Sequence, residues 1–404
     1  MLMLAFRNLF RHRSRTALTL AAIVFGSVSL VLSGGFVEDI FVQLQDGTVH
    51  SGLGHVQVHR TGYQELGRRD PYGYMIEDSE SVAERIRSVP EVMEVMARLS
   101  FAGTLSNGRA DVPVLGEGVE PHREPAVGGF VQVVDGRRLE LEDRYAIELG
   151  QGVARALDIG PGDFVTILTS TPEGALNSLE FQVVGVFRSH SIEFDARAVR
   201  VPLETARELL AVSAVHSLVL ALTDAEHTNA VVEAVRQLLP AAEFEITPWY
   251  ELADFYQKTV DLYGRQFAAL QFVILVMVAL GVANSVNISI YERTGELGTL
   301  MALGNRSGEV FRLLVLENMI LGLVGGLLAI PLALLLAAAI SAVGIPMPPP
   351  PNMDVGYTAT VRPTIEHLVL AFTVALGAST LAALLPARRG AKTPIAEALR
   401  HNQP

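Results

Sequence analysis

The sequence is 404 residues long, and half of its residues are hydrophobic while only 18% are charged. Ordinary soluble proteins carry about 25% charged residues, so this deficit indicates that apolar residues are concentrated in membrane spans and argues against a soluble protein. The net charge of −12 argues against a nucleic-acid partner. The absence of cysteine excludes disulfides, thiolate metal sites and a cysteine nucleophile.

The chain begins with a basic segment, residues 1–16, which is followed by a first apolar run at residues 17–37. This run holds no charged residue and has the length that the hydrocarbon core of a bilayer requires. It is longer than the apolar region of a signal peptide, and no small-residue cleavage site follows it. We therefore predict a first transmembrane helix that stays in the protein.

Residues 38–265 combine α and β patterns. A strand, helix, strand unit is predicted at each end of this region, at residues 55–99 and again at residues 217–247. The middle, about residues 101–205, is rich in turn signals and β-prone runs, with Ser106-Asn107-Gly108 as a hairpin signal. We predict a large α+β domain built of a split βαβ subdomain with an inserted β-rich subdomain.

Three further apolar runs follow and predict the second, third and fourth transmembrane helices, at residues 266–290, 313–343 and 367–386. The connection at residues 344–366 contains four consecutive prolines, Pro348–Pro351, and is predicted to be an extended external loop. Asn284, Ser285 and Asn287 lie inside the second span. They are predicted to contact other helices, with direct contact to a substrate as the alternative.

Basic residues set the predicted orientation. Lys and Arg are enriched in residues 1–16, in the connection 291–312 and in the tail 387–404, so these three segments should face the cytoplasm. Residues 38–265 are then exported, and their 36 acidic against 19 basic residues are typical of a soluble exported surface. We predict a multi-pass protein of the bacterial inner membrane with both termini in the cytoplasm.

No motif predicts chemistry in this chain. The G-x-x-x-x-G-K-[ST] phosphate loop is absent, so we expect ATP and Mg²⁺ to be bound by a partner and no cofactor by the chain itself. No nucleophile elbow, zinc-protease helix or paired-carboxylate signature occurs, and we predict no enzymatic activity. His50, His55 and His59 lie close together, but no nearby acid completes a metal-ligand set, so no metal site is predicted.

The most specific feature lies between the second and third spans. There, apolar residues including Leu297 and Leu300 occur on a short polar segment, and Gly304 is suited to ending a helix. Such a helix either lies on the membrane surface or inserts into the groove of a partner. The stretch Glu296–Gly304 reads E-L-G-T-L-M-A-L-G, and the tail reads P-A-R-R-G-A and then P-I-A-E-A-L at Pro394–Leu399.

These two motifs resemble the hallmarks of the FtsX-like, MacB-type family of ABC transporter permeases, with Gly390 as a minor departure. The resemblance covers nearly the whole chain and is greatest to the lipoprotein-releasing LolC/LolE-type branch. It implies a permease of the mechanotransmission class, called type VII, whose segment between spans two and three is the coupling helix. The implied docking residues for the ATPase are Glu296, Leu297, Gly298, Met301, Ala302, Leu303 and Gly304.

The resemblance also implies partners. Two permease chains, identical or related, pair with two ATPase subunits, and the cargo is a lipoprotein or another amphiphile extracted from the inner membrane. A periplasmic carrier or lipoprotein is a further candidate partner, although the stretch that corresponds to the carrier-binding hook, about Thr169–Leu179, is short. The alternatives are efflux of small molecules or peptides with an adaptor and an outer-membrane partner, and a signal relay to a cell-wall hydrolase.

The first span mixes small residues with large apolar ones. Small residues let helices approach closely, whereas large neighbours leave gaps of lipid size. We predict a cavity for lipid-like cargo between the first and second spans at the dimer interface, lined by Val24, Val28, Val31 and Leu32. The alternative is that the glycines and serines of this span serve only helix packing.

Overall fold

The structure is a computed structural model that describes residues 13–67, 69–127, 131–189, 191–348, 356–392 and 394. Pro349–Pro351 and residues 395–399 of the terminal motif lie outside the described residues. The α-helices of the described part are α1 (Arg13–Thr48), α2 (Tyr63–Leu66), α3 (Ser79–Arg87), α4 (Gln151–Leu157), α5 (Ile192–Asp195), α6 (Leu203–Leu210), α7 (Thr228–Leu238), α8 (Trp249–Leu252), α9 (Asp254–Glu292), α10 (Thr294–Ala302), α11 (Ser307–Val343) and α12 (Ile365–Gly390). The strands are β1 (Val56–Arg60), β2 (Val92–Ser106), β3 (Asp111–Val119), β4 (Gln132–Gly136), β5 (Ala146–Gly150), β6 (Phe164–Ser170), β7 (Leu176–Arg188), β8 (Ala198–Pro202), β9 (Ser217–Leu222), β10 (Phe244–Pro248), β11 (Ile345–Met347) and β12 (Tyr357–Ala359).

The chain divides into two compact units. The first, here called the membrane unit, comprises Met1–Val42, Thr259–Met347 and Thr358–Pro404. The second, here called the α+β domain, comprises Gln43–Lys258 with Pro348–Tyr357. Among the described residues, α1, α9, α11 and α12 are long and apolar enough to cross a membrane. The prediction of four transmembrane helices is confirmed.

The helices are longer than the predicted spans. α1 continues past residue 37 to Thr48, and α9 begins at Asp254 rather than at residue 266. Hydropathy detects only the apolar part of a helix, whereas backbone hydrogen bonds extend as far as the polar sequence permits. The 36 residues of α1 correspond to a length of about 54 Å, against about 30 Å for the hydrocarbon core of a bilayer.

One half of the α+β domain is a four-stranded antiparallel sheet in the order β10-β1-β9-β2. α3 connects β1 to β2, and α7 connects β9 to β10, so two βαβ units interleave in a single sheet. The helices bury Val82, Ile86, Val231 and Val235 in the same core as Leu220. This arrangement confirms the predicted split βαβ subdomain.

The other half is a closed six-stranded barrel in the order β2-β3-β8-β5-β7-β6, with β6 returning to β2. β2 serves both halves, because Val92–Arg98 pair with β9 and Leu99–Ser106 pair with β3. Closure satisfies the backbone groups that an open sheet edge would expose. The predicted β-rich insertion is confirmed, and one continuous core fills both halves.

A group of buried aromatic and imidazole rings lies beside the end of β1. His59 stacks on Tyr63 with ring centroids 4.6 Å apart, and His216 lies 6.0 Å from Tyr63 and 5.8 Å from Tyr72. Both histidines are buried. Burial lowers the pKa of His59 to about 4, as does the nearby His216, and burial likewise lowers the pKa of His216 to about 4.

Acid should therefore destabilise the α+β domain. In the unfolded chain, the two histidines take up protons near pH 6.5, whereas in the folded chain His59 and His216 stay neutral down to about pH 4. Stability is therefore retained above pH 6.5 and lost as pH falls towards 4. The free energy of unfolding should fall by up to about 3 kcal/mol per histidine. Fluorescence of Trp249, the one tryptophan of the sequence, reports unfolding as a function of pH.

In this measurement, His59→Gln and His216→Gln should each reduce the slope of stability against pH between 6.5 and 4. The matched control is His122→Gln, because His122 is exposed. If all three variants keep the parent slope, His59 and His216 are not the source of the acid sensitivity.

Candidate functional site

The segment between α9 and α11 forms the short helix α10, as the apolar spacing predicts. Gly304 ends it with a φ of +99°, a conformation that favours glycine over residues with a Cβ atom. Its backbone N–H donates to the carbonyl oxygen of Met301 at 3.1 Å. The glycine of the motif is thus explained by helix termination.

One face of α10 is buried within the chain itself. Leu297 and Met301 pack against Val310 and Leu314 of α11 and against Ala387 of α12, and Gly298 is buried as well. The chain's own helices cover Leu297, Gly298 and Met301, and their contact with an ATPase stays a prediction. The motif predicts a helix with an apolar face, but the sequence alone does not tell whether that face packs within the chain or on a partner.

The opposite face of α10 is open. Leu303 is 79% exposed, Ala302 and Gly304 are also exposed, and Glu296 is half-buried with a carboxylate oxygen 3.5 Å from Nε of Arg293. Large apolar side chains are costly to leave in water. The apolar surface that α10 leaves exposed is therefore centred on Leu303 and not on the residues that begin the motif.

A buried ion pair connects the start of α10 to α11. Nη1 of Arg293 donates to Oε2 of Glu317 at 2.8 Å, and Nη2 donates to Oε1 at 3.4 Å. Both side chains are buried. This pair was not predicted from the sequence, although an acid at the start of a predicted span is a signal of a buried polar contact. The pair and the Leu297 face together hold α10 against α11 and α12.

Removing one partner of this pair should destabilise the membrane unit. Arg293→Gln leaves the Glu317 carboxylate without its guanidinium in a buried site, at a cost of about 3–5 kcal/mol. The double variant R293M/E317L replaces both charges by apolar groups and should recover most of that stability. Thermal unfolding in detergent measures the difference. Equal stability of the single and double variants would show that the pair is not energetically coupled.

The predicted cavity residues of α1 lie mostly inside the helix bundle. Val28 and Val31 are buried against Ala329 and Ala333 of α11 and Ala371 of α12. Val24 and Leu32 are half-buried beside the same cluster. Val28 and Val31 therefore face neighbouring helices of the same chain, which favours the packing alternative, and the cavity at the dimer interface stays a prediction.

The glycines of α1 support the same conclusion. A Cβ atom added to Gly26 would lie 2.0 Å from a methyl carbon of Val278 on α9, and one added to Gly34 would lie 2.4 Å from the ring of His367 on α12. Such distances are shorter than real carbon contacts. The small residues of the first span are therefore required for close helix contact.

α9 differs from the other spans in its exposure. Only 11% of its most apolar stretch is buried, against 50% for α1. Ser285 faces the chain and its hydroxyl is hydrogen-bonded to that of Thr19 on α1. Asn284 and Asn287, in contrast, lie on the exposed side of α9, next to Leu280. Two amides thus stand on an otherwise apolar face that no other part of the described chain covers.

Comparison with known proteins identifies two family regions. The MacB-like periplasmic core domain matches residues 16–238, more than half of the chain. The FtsX-like permease C-terminal region matches residues 268–395. The two regions correspond to the α+β domain with its flanking helix and to the last three spans.

The crystal structure of the periplasmic region of MacB from Actinobacillus actinomycetemcomitans is 16% identical, covers 52% of this chain and 95% of its own, and has a TM-score of 0.38.

Relatives in sequence belong to the same group. The macrolide export ATP-binding/permease protein MacB of Azoarcus sp. (strain BH72) is 25% identical over 96% of this chain, which spans only 57% of that relative. The lipoprotein-releasing system transmembrane protein LolC of Neisseria meningitidis serogroup B is 24% identical over 96% of this chain and 94% of the relative. The chain belongs to the family of ABC transporter permeases that combine a MacB-like periplasmic core domain with an FtsX-like permease region.

Proposed function

We propose that this chain is the permease subunit of a type VII ABC transporter, in which motion caused by ATP hydrolysis in a separate ATPase subunit is relayed to the α+β domain. The observation that carries the proposal is the continuity of α1 and α9. Each is one unbroken helix that begins in one compact unit and ends in the other. Because the chain runs through these helices without a break, a displacement of the membrane unit can be passed along them to the α+β domain.

The ATPase contacts the exposed face of α10 in this proposal. Leu303 and Ala302 are the anchors, and Leu297, Gly298 and Met301 support the helix from behind. The ion pair between Arg293 and Glu317 then transmits a displacement of α10 to α11. Two ATPase copies, with ATP and Mg²⁺ bound by them, match a pair of permease chains, and the termini and α10 lie on the cytoplasmic side of the inner membrane.

A second permease chain covers the exposed face of α9 in this proposal. Exposed amides are unfavourable in hydrocarbon, and hydrogen bonds between helices satisfy them. Asn284 and Asn287 can each donate and accept, so the same face on a second or related permease helix provides suitable partners. The pair can be a homodimer or a heterodimer.

The cargo in this proposal is a lipoprotein or another amphiphile taken from the inner membrane. The support is the exposed apolar side of the first span, where Leu18 and Phe25 are 73% and 75% exposed, and the match to nearly the full length of a LolC protein. The cargo path follows this side with the half-buried Val24 and Leu32, and no longer includes the buried Val28 and Val31. Periplasmic carrier recruitment fits the same function.

A second candidate function is efflux of small molecules or peptides with an adaptor and an outer-membrane partner. It is favoured by the match of residues 16–238 to the MacB-like core domain. A relay to a cell-wall hydrolase is the third, and it uses the same mechanical parts without cargo. Neighbouring genes for a lipoprotein carrier, an adaptor or a hydrolase would separate the three.

ATPase docking is tested by Leu303→Asp. A carboxylate at this exposed position should abolish co-purification of the ATPase, because an apolar anchor of an interface is replaced by a charge, while the melting temperature stays that of the parent. The matched variant is Leu297→Ala on the buried face, which should lower stability by about 2–4 kcal/mol and leave ATPase binding in place. Undiminished ATPase capture by Leu303→Asp would contradict the assignment of the exposed face.

Cargo contact is tested by photo-crosslinking amino acids in the full complex. A crosslinker in place of Phe25 should capture acyl chains or lipidated protein, and the capture should depend on ATP. The same group in place of Val28 should instead react within the chain, because Val28 is buried among α11 and α12. If position 25 captures only another permease chain in every ATPase state, then α1 has a purely mechanical role.

A further inference from the structure

Asp39 is a carboxylate with no solvent exposure near the outer end of the predicted first span. Its Oδ2 accepts from the backbone N–H of Thr360 at 2.7 Å. Its Oδ1 accepts from the hydroxyl of Thr360 at 2.6 Å and from Nε of Arg362 at 2.7 Å. Bonds from a cation to a buried carboxylate are short and strong, and their separation is costly.

The segment around Thr360 and Arg362 also touches the backbone of α1. The N–H of Arg362 donates to the carbonyl oxygen of Gly35 at 2.9 Å. A Cβ atom added to Gly35 would lie 2.9 Å from the backbone nitrogen of Pro363. The contact is therefore too close for any side chain at this position of α1, and it is independent of the Asp39 carboxylate.

The same segment is fixed to the other two helices of this contact. The N–H of Val361 donates to the hydroxyl of Ser341 on α11 at 3.0 Å, and that hydroxyl donates back to the carbonyl oxygen of Val361 at 3.3 Å. Thr364 caps the start of α12 through His367. α1, α11 and α12 thus meet at a single short segment, which also carries the ion pair with Asp39.

α9 is the most exposed of the four spans. Val278 and Val282 pack with Ile23 of α1, Leu321 of α11 and Ala375 of α12, but only 11% of its most apolar stretch is buried, against 28% for α11 and for α12. The hydroxyls of Thr19 and Ser285 form a polar contact between α1 and α9. The four spans are consequently held together unequally.

We propose that Asp39, Thr360 and Arg362 form an outer clamp that makes α1, α11 and α12 move as one body, while α9 shifts against them. Displacement of α10, which is held on α11 and α12, then reaches α1 and through it the α+β domain. Asp39 is a positioning residue in this scheme. The inference rests on the proposed relay function and adds the route along which motion passes within one chain.

A clamp with a purely structural role would stabilise the fold equally in every nucleotide state. The proposed role instead requires that the distance from α1 to α12 stays constant during the ATPase cycle while the distance from α1 to α9 changes. The sequence has no cysteine, so pairs of introduced cysteines can carry spin labels without background. Labels at Gln45 and Val369 report the first distance, and labels at Gln45 and Leu262 report the second.

Both distances are measured by pulsed electron–electron double resonance on the full chain in nanodiscs with its ATPase. The measurement is made with and without ATP and vanadate. The labelled chain is diluted with unlabelled chain, so that distances within one chain are observed. In the parent, the Gln45–Val369 distance should show one population in both states, and the Gln45–Leu262 distance should shift. A shift of the Gln45–Val369 distance in the parent overturns the clamp. If neither distance responds to nucleotide, the relay function fails instead, so the two failures are distinguishable.

Variants then test the named side chains. D39N and T360V should add a second, nucleotide-dependent population to the Gln45–Val369 distance without loss of ATPase binding, and T360S should restore the parent result because it keeps the hydroxyl donor. R362Q, altered at an exposed side chain, serves as the second variant if D39N fails to fold. The matched control is E366Q at an exposed position of α12. Unchanged distances in D39N, T360V and R362Q would overturn the proposal.

Discussion

Polar groups in a membrane need protein partners, and this constraint arranges the four spans. Between helices in lipid there is no hydrophobic driving force, so close packing at small residues and hydrogen bonds between helices decide which surfaces meet. In this chain the ion pair between Arg293 and Glu317 lies near one end of the bundle, and the carboxylate of Asp39 lies near the other. Between these ends, Gly26, Gly34 and Gly35 allow neighbouring segments to approach α1 closely. The first polar contact joins the start of α10 to α11, and the second joins α1 to the segment before α12.

The burial of the four spans is unequal. α10, α11 and α12 share a buried apolar cluster, and an ion pair joins the start of α10 to α11. α1 packs on α11 and α12 through Val28 and Val31 and contacts the segment before α12 through Asp39. α9 keeps its amides and most of its apolar surface on the outside. In the proposed relay, the first group is the part that moves as one body, and α9 is the part that shifts against it.

Regular features were predictable from the sequence, whereas pairings between distant residues were not. Hydropathy identified the spans, and alternating and helical periods identified the split βαβ sheet. Closure of the barrel through β6 and β2 was not predictable, because pairing between strands 60 residues apart leaves no local pattern. For the same reason the motif at Glu296–Gly304 predicted a helix with an apolar face but not that Leu297 faces inward while Leu303 faces outward. The partners of Asp39, more than 300 residues away, gave no signal at all.

The candidate functions share the mechanical elements and differ only in what the moving surfaces touch. Lipoprotein extraction, efflux and signal relay all require α10 to be held on α11 and α12 and α1 to continue into the α+β domain. The buried polar contacts therefore do not select the cargo, because each is occupied within the chain. Selection falls to surfaces that remain open in the proposed assembly, which are the side of α1 around Phe25 and the exterior of the α+β domain. In the proposed function, the acyl chains of the cargo meet the apolar side of α1, and the α+β domain is left to distinguish one such cargo from another.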